Sequence, residues 1–512
     1  MKKPEKFDVI IAGSSLAEFS AGIVLQKFFG KNTAIVTGID NNKSSQSIDF
    51  LSASLFTGQM EPDSFIRKIS NYLTDNKLTW EKLPSVYERH FYPKWRLNLS
   101  DNLAAYMGEL KKLFPKDKGN IDIYFRDIQH AADYTSFFLL RFILPPVLHT
   151  VSERFFATGK KFATLSVEEF IDSLSTDKNL KTALSGQLQN FASCRESTGF
   201  IFHAMNMMGT LNGAFAPKGG PEVMYNQLKS SYISHGGTLL ESSTIDEVTI
   251  SGKTIKDLSV INSDSKTSRL KCNKIFWGMG MENLPALVKD EKIRTQLTNL
   301  SPVKEFVPYP ILFEINFNDA IKKLNSKGEI FRLFPSNQAD ADEIPQGCNL
   351  YPVYSAESTD SMPDKYIAVV FVNGDDPGTF LQNEKNISDL KGYLMDMINL
   401  YIKDFGGCIS SVEQIIPGAL TKSFYINPYG TVMPSTGKIK TQLHKNPYRL
   451  NNLFVTGADL FIPGVTASIM SGITTVGVAF GAFRFFRFFR YLKQQANKKV
   501  KIKIKPLKVK RF

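Results

Sequence analysis

A turn of small residues near the N-terminus has the composition of a phosphate-binding loop. The apolar run 7–12 predicts a buried strand, and the residues that follow it are Gly13, Ser14, Ser15, Leu16 and Ala17. A strand, a tight turn and a helix start in this order direct backbone N–H groups and the positive end of the helix dipole at a bound phosphate. This segment predicts one half of a dinucleotide-binding site.

A second segment near the C-terminus repeats the same order. The run 452–456 predicts a strand, and a glycine turn and an uncharged helix rich in small residues follow it. The residues that we expect to line the second half of the site are Gly457, Asp459, Val465, Thr466 and Ala467. Because two ends of one chain each supply half of a phosphate-facing crevice, the pattern favours a dinucleotide such as FAD.

The N-terminal turn departs from the usual dinucleotide fingerprint. The fingerprint Gly-x-Gly-x-x-Gly needs small residues where the backbone approaches the phosphates, and here its three positions hold Gly13, Ser15 and Glu18. The Glu18 carboxylate would lie near a dianionic pyrophosphate. The second strand, predicted over 33–37, lacks a terminal acidic residue for a ribose, and Asp40 follows it. An ordinary strand-to-helix connection of an α/β domain is the alternative for this turn.

A third segment lies between the first two and completes a known order of motifs. It contains a Pro-x-Gly-Gly turn at 217–220, a Gly-Gly pair at 236–237, the spaced pair Ile245 and Val248, and an apolar strand over 271–278. This order resembles the phytoene desaturase and flavin amine oxidase superfamily of FAD-dependent oxidoreductases. Three motifs in family order are a more specific signal than any one of them.

The resemblance implies both the fold and the cofactor. It implies an α/β chain in which an FAD-binding Rossmann-like domain, of the NAD(P)-binding type, is interleaved with an α+β substrate domain. In this superfamily the backbone at the position of Ile245 contacts the adenine, and the helix after Gly457 directs its N-terminus at the cofactor. The turn from Gly13 to Glu18 is also similar to that of the Rab GDP-dissociation inhibitors, which keep the fold and bind prenylated proteins without flavin.

The composition of the chain indicates the number of domains and argues against a disulfide framework or a metal site. The 512 residues are enough for two or three interleaved domains with buried cores. The four cysteines and six histidines show no paired spacing, so we expect a reducing compartment, no disulfide framework and no metal site. The sequence pattern identifies no catalytic Ser-His or Cys-His pair, so no catalytic residue is predicted. Forty phenylalanines indicate a large apolar cavity or an apolar outer surface.

The predicted segments alternate between the two domains. The expected boundaries are 1–59, 213–300 and 431–483 for the FAD-binding domain, 60–212 for a helical substrate or membrane-facing domain, 301–430 for a substrate-domain sheet and 484–512 for a basic amphipathic tail. Apolar spacing predicts helices over 63–73, 101–113, 167–174 and 387–405, and strands over 309–316 and 366–372.

The net charge of +13 comes from the C-terminal tail. Residues 484–512 carry twelve basic side chains and no acidic one, which leaves 50 basic against 49 acidic side chains elsewhere. On a helix that continues the preceding one, Phe485, Phe488, Phe489 and Leu492 share a face opposite the arginines. Such a helix fits an anionic membrane surface. The alternative is that Phe485 and Phe489 pack against the body; a nucleic-acid partner is not expected, because nothing else resembles a nucleic-acid-binding fold.

Other apolar segments bear on membrane contact. Residues 134–148 hold one charge in fifteen, which indicates either a membrane-facing surface or a core helix. The run 460–483 is long enough to span a bilayer, but its glycine, serine and threonine content favours a buried helix. The N-terminus has no apolar core of a secretory signal. We expect a cytoplasmic protein at the periphery of a membrane.

Two functions fit these patterns. The first is an FAD-dependent oxidoreductase, of the desaturase, isomerase or saturase kind, that acts on an apolar isoprenoid or lipid substrate at a membrane surface. Flavin would carry the hydride chemistry, while the protein orients the substrate in an apolar tunnel. The alternative is a non-enzymatic carrier of a lipid or prenyl group on the same fold, which has lost the flavin. Glu18 and the missing ribose-binding acid support this alternative.

Overall fold

The fold is known from a computed structural model of the chain. The described residues are 4–37, 55–141, 143–144, 148, 154, 157–191, 195, 198–300, 309–323, 328–335, 347–355, 363–372, 380, 383–402, 404–415, 446–461 and 464–503. The position of Asp40 and the part of the basic tail beyond residue 503 lie outside them, so the expectations for both stay predictions.

The helices and strands are numbered here in chain order. The strands are Glu5–Ala12 (β1), Thr33–Val36 (β2), Trp80–Lys82 (β3), Val86–Phe91 (β4), Arg96–Ser100 (β5), Phe215–Pro217 (β6), Thr238–Leu240 (β7), Ser243–Ser251 (β8), Thr254–Asn262 (β9), Thr267–Trp277 (β10), Tyr309–Phe317 (β11), Ile330–Leu333 (β12), Cys348–Val353 (β13), Lys365–Val372 (β14), Ile409–Ile415 (β15) and Leu453–Val455 (β16). The helices are Leu16–Lys27 (α1), Phe65–Leu73 (α2), Leu103–Leu113 (α3), Lys118–Leu140 (α4), Ala157–Lys160 (α5), Val167–Leu174 (α6), Lys178–Ser185 (α7), Phe200–Thr210 (α8), Gly220–Ser234 (α9), Glu291–Thr298 (α10), Glu384–Tyr401 (α11), Val465–Phe480 (α12) and Ala482–Lys503 (α13).

The first sheet is mainly parallel and contains both predicted halves of the site. Its strand order is β7–β2–β1–β10–β9–β8, and β16 pairs with the carboxyl half of β10. Strands β7, β2, β1, β10 and β16 run parallel, whereas β8 and β9 form an antiparallel hairpin against the first half of β10. Residues 9–12 of β1 are buried, as an unbroken apolar run in a sheet covered on both faces requires. We call this layer the parallel sheet.

The second sheet has the order β15–β11–β14–β13–β12–β4–β5 and is antiparallel except between β12 and β4. One face packs under α11, and the other, which we call the inner face, shares a core with helices α3, α4, α6 and α8. Strands β11 and β14 and helix α11 form in the segments where two strands and a helix were predicted. Strands β3, β4 and β5 were not expected in the predicted helical segment, because the middle of β4 consists of the polar residues Glu88, Arg89 and His90.

Helices α1 and α12 pack so closely at the carboxyl edge of the parallel sheet that their backbones are in contact. A Cβ atom at Gly472 would lie only 2.0 Å from the carbonyl oxygen of Ala17. Two hydroxyl groups of α12 also bond to the segment around β16: Ser471 Oγ donates to the carbonyl of Gly457 over 2.8 Å, and Thr475 Oγ1 donates to a β16 carbonyl over 2.9 Å. Small residues in α12 thus serve helix packing. No described helix has the length and apolar content needed to cross a bilayer.

The aromatic face of the tail helix is covered by the protein itself. Phe485, Phe488 and Leu492 are buried in the same core as α1 and α2, and the Phe488 ring lies 5.4 Å from that of Tyr72. The face that was predicted to lie on lipid therefore packs against the body, as in the alternative. The helix also does not continue α12, because Gly481 with φ +93° interrupts the chain between them.

We predict that Gly472→Ala lowers the stability of the fold. The added methyl group meets the Ala17 carbonyl, so α1 and α12 must separate, at a cost of about 1–3 kcal/mol. The control is Gly108→Ala in α3, where an added Cβ meets no atom within 4 Å. Thermal unfolding should show a lower Tm for the first variant and an equal or higher Tm for the second. Equal Tm values for Gly472→Ala and the wild type would contradict the close packing.

Candidate functional site

Three glycines meet at the carboxyl edge of the parallel sheet. Strands β1, β10 and β16 end in register, and each is followed by glycine, at Gly13, Gly278 and, after Thr456, at Gly457. The Gly278 N–H donates to the β1 carbonyl of Ala12 over 2.9 Å. The structure thus brings the two predicted glycines together and adds Gly278, which had been assigned only to a returning strand.

The space above these glycines is filled by the carboxyl group of Glu18. A Cβ atom at Gly278 would lie 1.9 Å from Glu18 Oε1, and one at Gly457 would lie 3.3 Å from it. A Cβ atom at Gly13 would lie 3.4 Å from the Glu18 carboxyl carbon. A side chain at Gly278 would therefore displace the carboxyl group, and the acidic residue and the glycine fit each other.

Glu18 is fully buried, and its two oxygens differ. Oε2 accepts a hydrogen bond of 2.7 Å from the backbone N–H of Ser15. Oε1 is buried without a hydrogen-bond partner among the described residues. Burial, with a smaller contribution from Asp459, raises the pKa of Glu18 to about 7, although the bonds at Ser15 lower it. Buried carboxyl groups with an unpaired oxygen are uncommon in folded proteins. Where they occur, they often belong to functional sites.

The N-terminus of α1 is closed by its own side chains. Ser15 and Glu18 form a capping box, in which the serine side chain accepts from the helix backbone and the glutamate accepts from Ser15 N–H. Ser15 Oγ also accepts from Ala17 N–H over 3.3 Å. Ser14 is buried, and Leu16 belongs to the core that α1 shares with α12. Several N–H groups predicted to bind phosphate therefore already have partners.

The N-terminus of α12 is more open. It begins after Gly464, whose φ is +112°, and no side chain of the described part of the chain caps it. Its first turn contains Val465, Thr466 and Ala467, as predicted. Uncapped N–H groups together with the helix dipole favour an anion. Thr466 Oγ1 is 3.0 Å from the hydroxyl group of Thr57.

Two other predicted residues lie near the cluster in different roles. Asp459 is buried, and its Oδ2 accepts a 2.8 Å bond from the backbone of Met281, so it fixes the chain that follows β10. Ile245, on β8, is buried in a core that includes Val36 at the end of β2. The adenine contact expected of Ile245 stays a prediction.

These residues fit a dinucleotide pyrophosphate. The glycines remove side chains from the edge of the sheet, and α12, whose N-terminus is uncapped, packs against Gly457 there. The feature that differs from an ordinary pyrophosphate site is the buried Glu18 carboxyl group. Among the residues that the structure describes, no cluster of three or more His, Cys, Asp or Glu side chains is placed to hold a metal ion.

A second buried polar group lies on the inner face. Arg332 on β12 donates to both oxygens of Glu88 on β4, over 2.5 Å and 3.1 Å, and His90 contacts the same carboxylate. Burial raises the pKa of Glu88, but Arg332 and His90 outweigh it and lower this pKa to about 2. Burial also lowers the pKa of His90. Glu88 and Arg332 are therefore a fixed, fully buried ion pair.

The ion pair is connected to the glycine cluster through aromatic side chains. Arg332 Nη1 donates to the hydroxyl group of Tyr351 over 3.4 Å, and the Tyr351 ring stacks on Phe56 at 5.6 Å between centroids. Phe56 precedes Thr57, which bonds to Thr466 at the start of α12. The rest of this wall is apolar, and its residues include Val353, Ile367, Val369 and Phe371. Sequence reasoning missed Glu88 and Arg332, because 244 positions separate them and neither stands in a local motif.

The chain is similar in sequence, at low identity, to proteins named as retinol reductases. No family model matches the chain. All-trans-retinol 13,14-reductase of Macaca fascicularis is 24% identical over 266 residues, which are 48% of this chain and 42% of that protein. The human protein of that name matches over the same shares of both chains. The matched region thus spans less than half of the length of these relatives. The Rattus norvegicus protein is 21% identical over 532 residues, with 92% of this chain and 85% of that protein covered.

Solved structures share the fold over nearly the whole chain. An oxidoreductase from Methanosarcina mazei superposes with a TM-score of 0.57 at 12% identity and covers 92% of this chain and 99% of its own. Putrescine oxidase bound to putrescine gives a TM-score of 0.57 at 10% identity, with coverage of 93% and 99%. Cyclohexylamine oxidase from Brevibacterium oxydans gives 0.52 at 10% identity, with coverage of 94% and 99%. The predicted fold class is confirmed.

We predict that Glu18→Gln changes how stability depends on pH. The pKa of this acid is raised from 4.5 to about 7 in the folded state, so the folded protein holds a proton that the unfolded chain releases. Wild-type stability therefore falls between pH 4.5 and 7, by about 3 kcal/mol from this residue. The glutamine side chain of the variant cannot ionise and still offers Ser15 an acceptor. The variant should therefore gain most of this amount relative to wild type between pH 5 and pH 8.

Denaturant unfolding of both proteins at pH 5 and pH 8 measures this difference. Other groups titrate equally in the two proteins, so only the change in the gap between them is informative. A gap that is the same at both pH values would show that Glu18 is ionised or exposed.

Proposed function

We propose that this chain, which has the fold of the phytoene desaturase and flavin amine oxidase superfamily, is an FAD-dependent oxidoreductase that acts on an apolar isoprenoid or lipid substrate. The observation that carries the proposal is the meeting of Gly13, Gly278 and Gly457 at the carboxyl edge of the parallel sheet, where α1 begins and α12 packs against Gly457 and Ala17. The glycines come from three segments that lie far apart in sequence, and each alone is a weak signal. Together they leave the edge of the sheet without side chains of its own, as a dinucleotide-binding crevice requires.

The residues have separate tasks in this proposal. The uncapped turn at Val465, Thr466 and Ala467 binds the cofactor's phosphates, while Gly13, whose N–H donates to the Val36 carbonyl, keeps the end of β1 free of a side chain. Gly457 keeps the edge of the sheet free of a side chain, and Asp459 holds the chain after β10 in place. Bound flavin supplies hydride transfer. The protein binds, orients and excludes water around the reacting carbon atoms.

The inner face supports an apolar substrate. It begins at the stacked pair Phe56 and Tyr351, close to the start of α12, and continues into aliphatic side chains. In the structure these side chains pack against helices α3, α4, α6 and α8, and a ligand cavity against this face is part of the proposal. The names of the relatives in sequence specify retinol, an isoprenoid alcohol. An isoprenoid chain matches both the apolar wall and these names.

Tyr351 gives this wall one fixed polar group. Its hydroxyl receives a hydrogen bond from Arg332, which the ion pair with Glu88 holds in place. Burial raises the pKa of Tyr351, although Arg332 lowers it, so the phenol stays neutral near pH 7. A neutral phenol both donates and accepts hydrogen bonds, and here it accepts one from Arg332.

One observation favours the flavin-free carrier as a second candidate. The capping box of Ser15 and Glu18 occupies N–H groups that a pyrophosphate would otherwise use. A carrier would leave this helix end closed permanently and hold its lipid against the inner face. The two candidates differ in one measurable property, the ability of the protein to bind FAD.

We predict that Gly457→Leu loses bound flavin. Gly457 has φ +72°, and a side chain there would point at the Glu18 carboxyl group 3.3 Å away. Backbone strain of about 1–3 kcal/mol and the displaced carboxyl group should weaken FAD binding by at least about tenfold. FAD released by heat denaturation after gel filtration, divided by protein concentration, gives the result.

The matched control is Gly30→Leu. Gly30 has φ +57°, so leucine is strained there too, but it lies beyond the far end of α1 and an added Cβ meets no atom within 4 Å. This variant should keep the wild-type flavin content. Equal flavin contents in the two variants would contradict the proposed site, and a colourless wild type that binds no added FAD would favour the carrier.

We also propose that the first part of the tail helix contacts an anionic membrane surface through its uncovered face. Phe483 is 81% exposed and Phe486 is 43% exposed. The exposed side chains nearby in sequence include the cationic Arg484, Arg487 and Arg490. Aromatic side chains with cationic neighbours suit the interface of a bilayer, where each arginine contributes about 1 kcal/mol. Phe65 of α2, whose ring is 5.0 Å from that of Phe489, extends the patch.

We predict that the double variant Phe483→Ser/Phe486→Ser binds anionic vesicles more weakly. Loss of two inserted rings should reduce the partition coefficient by at least about tenfold. Co-sedimentation with vesicles of phosphatidylglycerol and phosphatidylcholine measures it. Leu400→Ser is the control, since Leu400 is 65% exposed on α11 and should leave binding unchanged. Equal sedimentation of the double variant and the wild type would contradict this docking surface.

A further inference from the structure

We propose that Glu18 enters the dinucleotide site as a neutral carboxylic acid, so that binding of the cofactor to the ionised form of the protein takes up one proton. This inference rests on the proposed function, because it assumes that the site binds FAD. It assigns a role to the residue that departs most from the usual fingerprint. The proton comes from solvent, forms an O–H bond on the carboxyl group and is released again when the cofactor leaves.

The geometry places the carboxyl group inside the site. Glu18 stands in the first turn of α1, three positions after the capping residue Ser15, and it lies against Gly278 and Gly457 at the ends of β10 and β16. These are the glycines that the proposed function places beside the pyrophosphate. Full burial keeps water from solvating a negative charge there.

The described surroundings contain no positive charge to compensate an ionised Glu18. The charged group that acts on it is Asp459, which is also acidic. The other groups near it are neutral: Ser15, at the start of the same helix, bonds to it, and Thr456 and Ser471 lie beside Gly278 and Gly457, the two glycines that it contacts. A pyrophosphate would add further negative charge. Two anionic groups in a buried site raise the proton affinity of the carboxyl group.

The two carboxyl oxygens suit a protonated state. Oε2 accepts from Ser15 N–H and must keep a lone pair for that bond. Oε1 has no partner among the described residues and is therefore the oxygen available for the proton. A protonated Oε1 becomes a hydrogen-bond donor, which a phosphate oxygen or an ordered water molecule can accept. Neutral Glu18 thus changes from a repulsive group into a binding group.

The test measures FAD binding by the flavin-free full chain as a function of pH. The pKa of Glu18 near 7 means that about one tenth of the protein is still protonated at pH 8. The Kd for FAD, from equilibrium dialysis, should therefore rise about tenfold between pH 6 and pH 8. Calorimetric titration at pH 8 in two buffers of different ionisation enthalpy should count about one proton taken up per FAD bound.

Two variants assign the proton to Glu18. Glu18→Gln should bind FAD with a Kd that is the same at pH 6 and pH 8 and without proton uptake. Glu169→Gln is the matched control, because Glu169 makes the same capping box with Ser166 on α6 but is exposed. This control should keep the pH dependence of the wild type.

The outcomes separate this inference from the proposed function. FAD that binds the wild type equally well at pH 6 and pH 8, with no proton uptake, overturns the role of Glu18 and leaves the flavin function intact. Proton uptake that persists in Glu18→Gln also overturns it. A wild type that binds no FAD at any pH overturns both. A wild type that binds FAD without proton uptake overturns the role of Glu18 even where a variant does not fold.

Discussion

The close contact between helices α1 and α12 is the interaction on which the candidate site depends. It requires glycine at Gly472, against the Ala17 carbonyl, and it fixes both helix N-termini at one edge of the parallel sheet. The glycines that end β1, β10 and β16 then leave a space, and the carboxyl group of Glu18 fills it. The packing that creates an anion-binding geometry therefore also buries an acid inside it. A cofactor with negative phosphates is compatible with this arrangement when the acid is neutral.

The second sheet contains a buried ion pair that is linked through side chains to the first turn of α12. Glu88 and Arg332 join adjacent strands with both charges buried, an arrangement in which the desolvation of each charge must be offset by its partner. Removal of either partner would leave an uncompensated charge, so the pair constrains β4 and β12 strongly. Tyr351 receives its hydrogen bond from this pair and stacks on the segment that leads to Thr57 and α12. The polar position in an otherwise apolar wall is thus tied to the start of the cofactor-facing helix.

Local patterns predicted the parts of the fold that depend on neighbouring residues. The strand–turn–helix segments at Gly13 and Gly457 and the runs that form β11, β14 and α11 could be read from periodicity and turn residues. The pairing of Glu88 with Arg332 could not, since it joins two strands that the sequence keeps far apart. The tail helix was read correctly as amphipathic, but amphipathicity does not specify what covers the apolar face. Glu18 was recognised as a departure from the fingerprint, yet its burial depends on Gly278, which only the fold brings near it.

The flavin content of the wild-type protein purified at pH 6, where Glu18 is mostly protonated, tests the dinucleotide site directly. Visible absorption of the native protein, followed by denaturation and identification of the released flavin, gives both the chromophore and its stoichiometry. We expect one non-covalent FAD per chain, or one after incubation with added FAD. A protein that contains no flavin and takes up none at this pH would contradict a dinucleotide site built by α1, α12 and the three glycines.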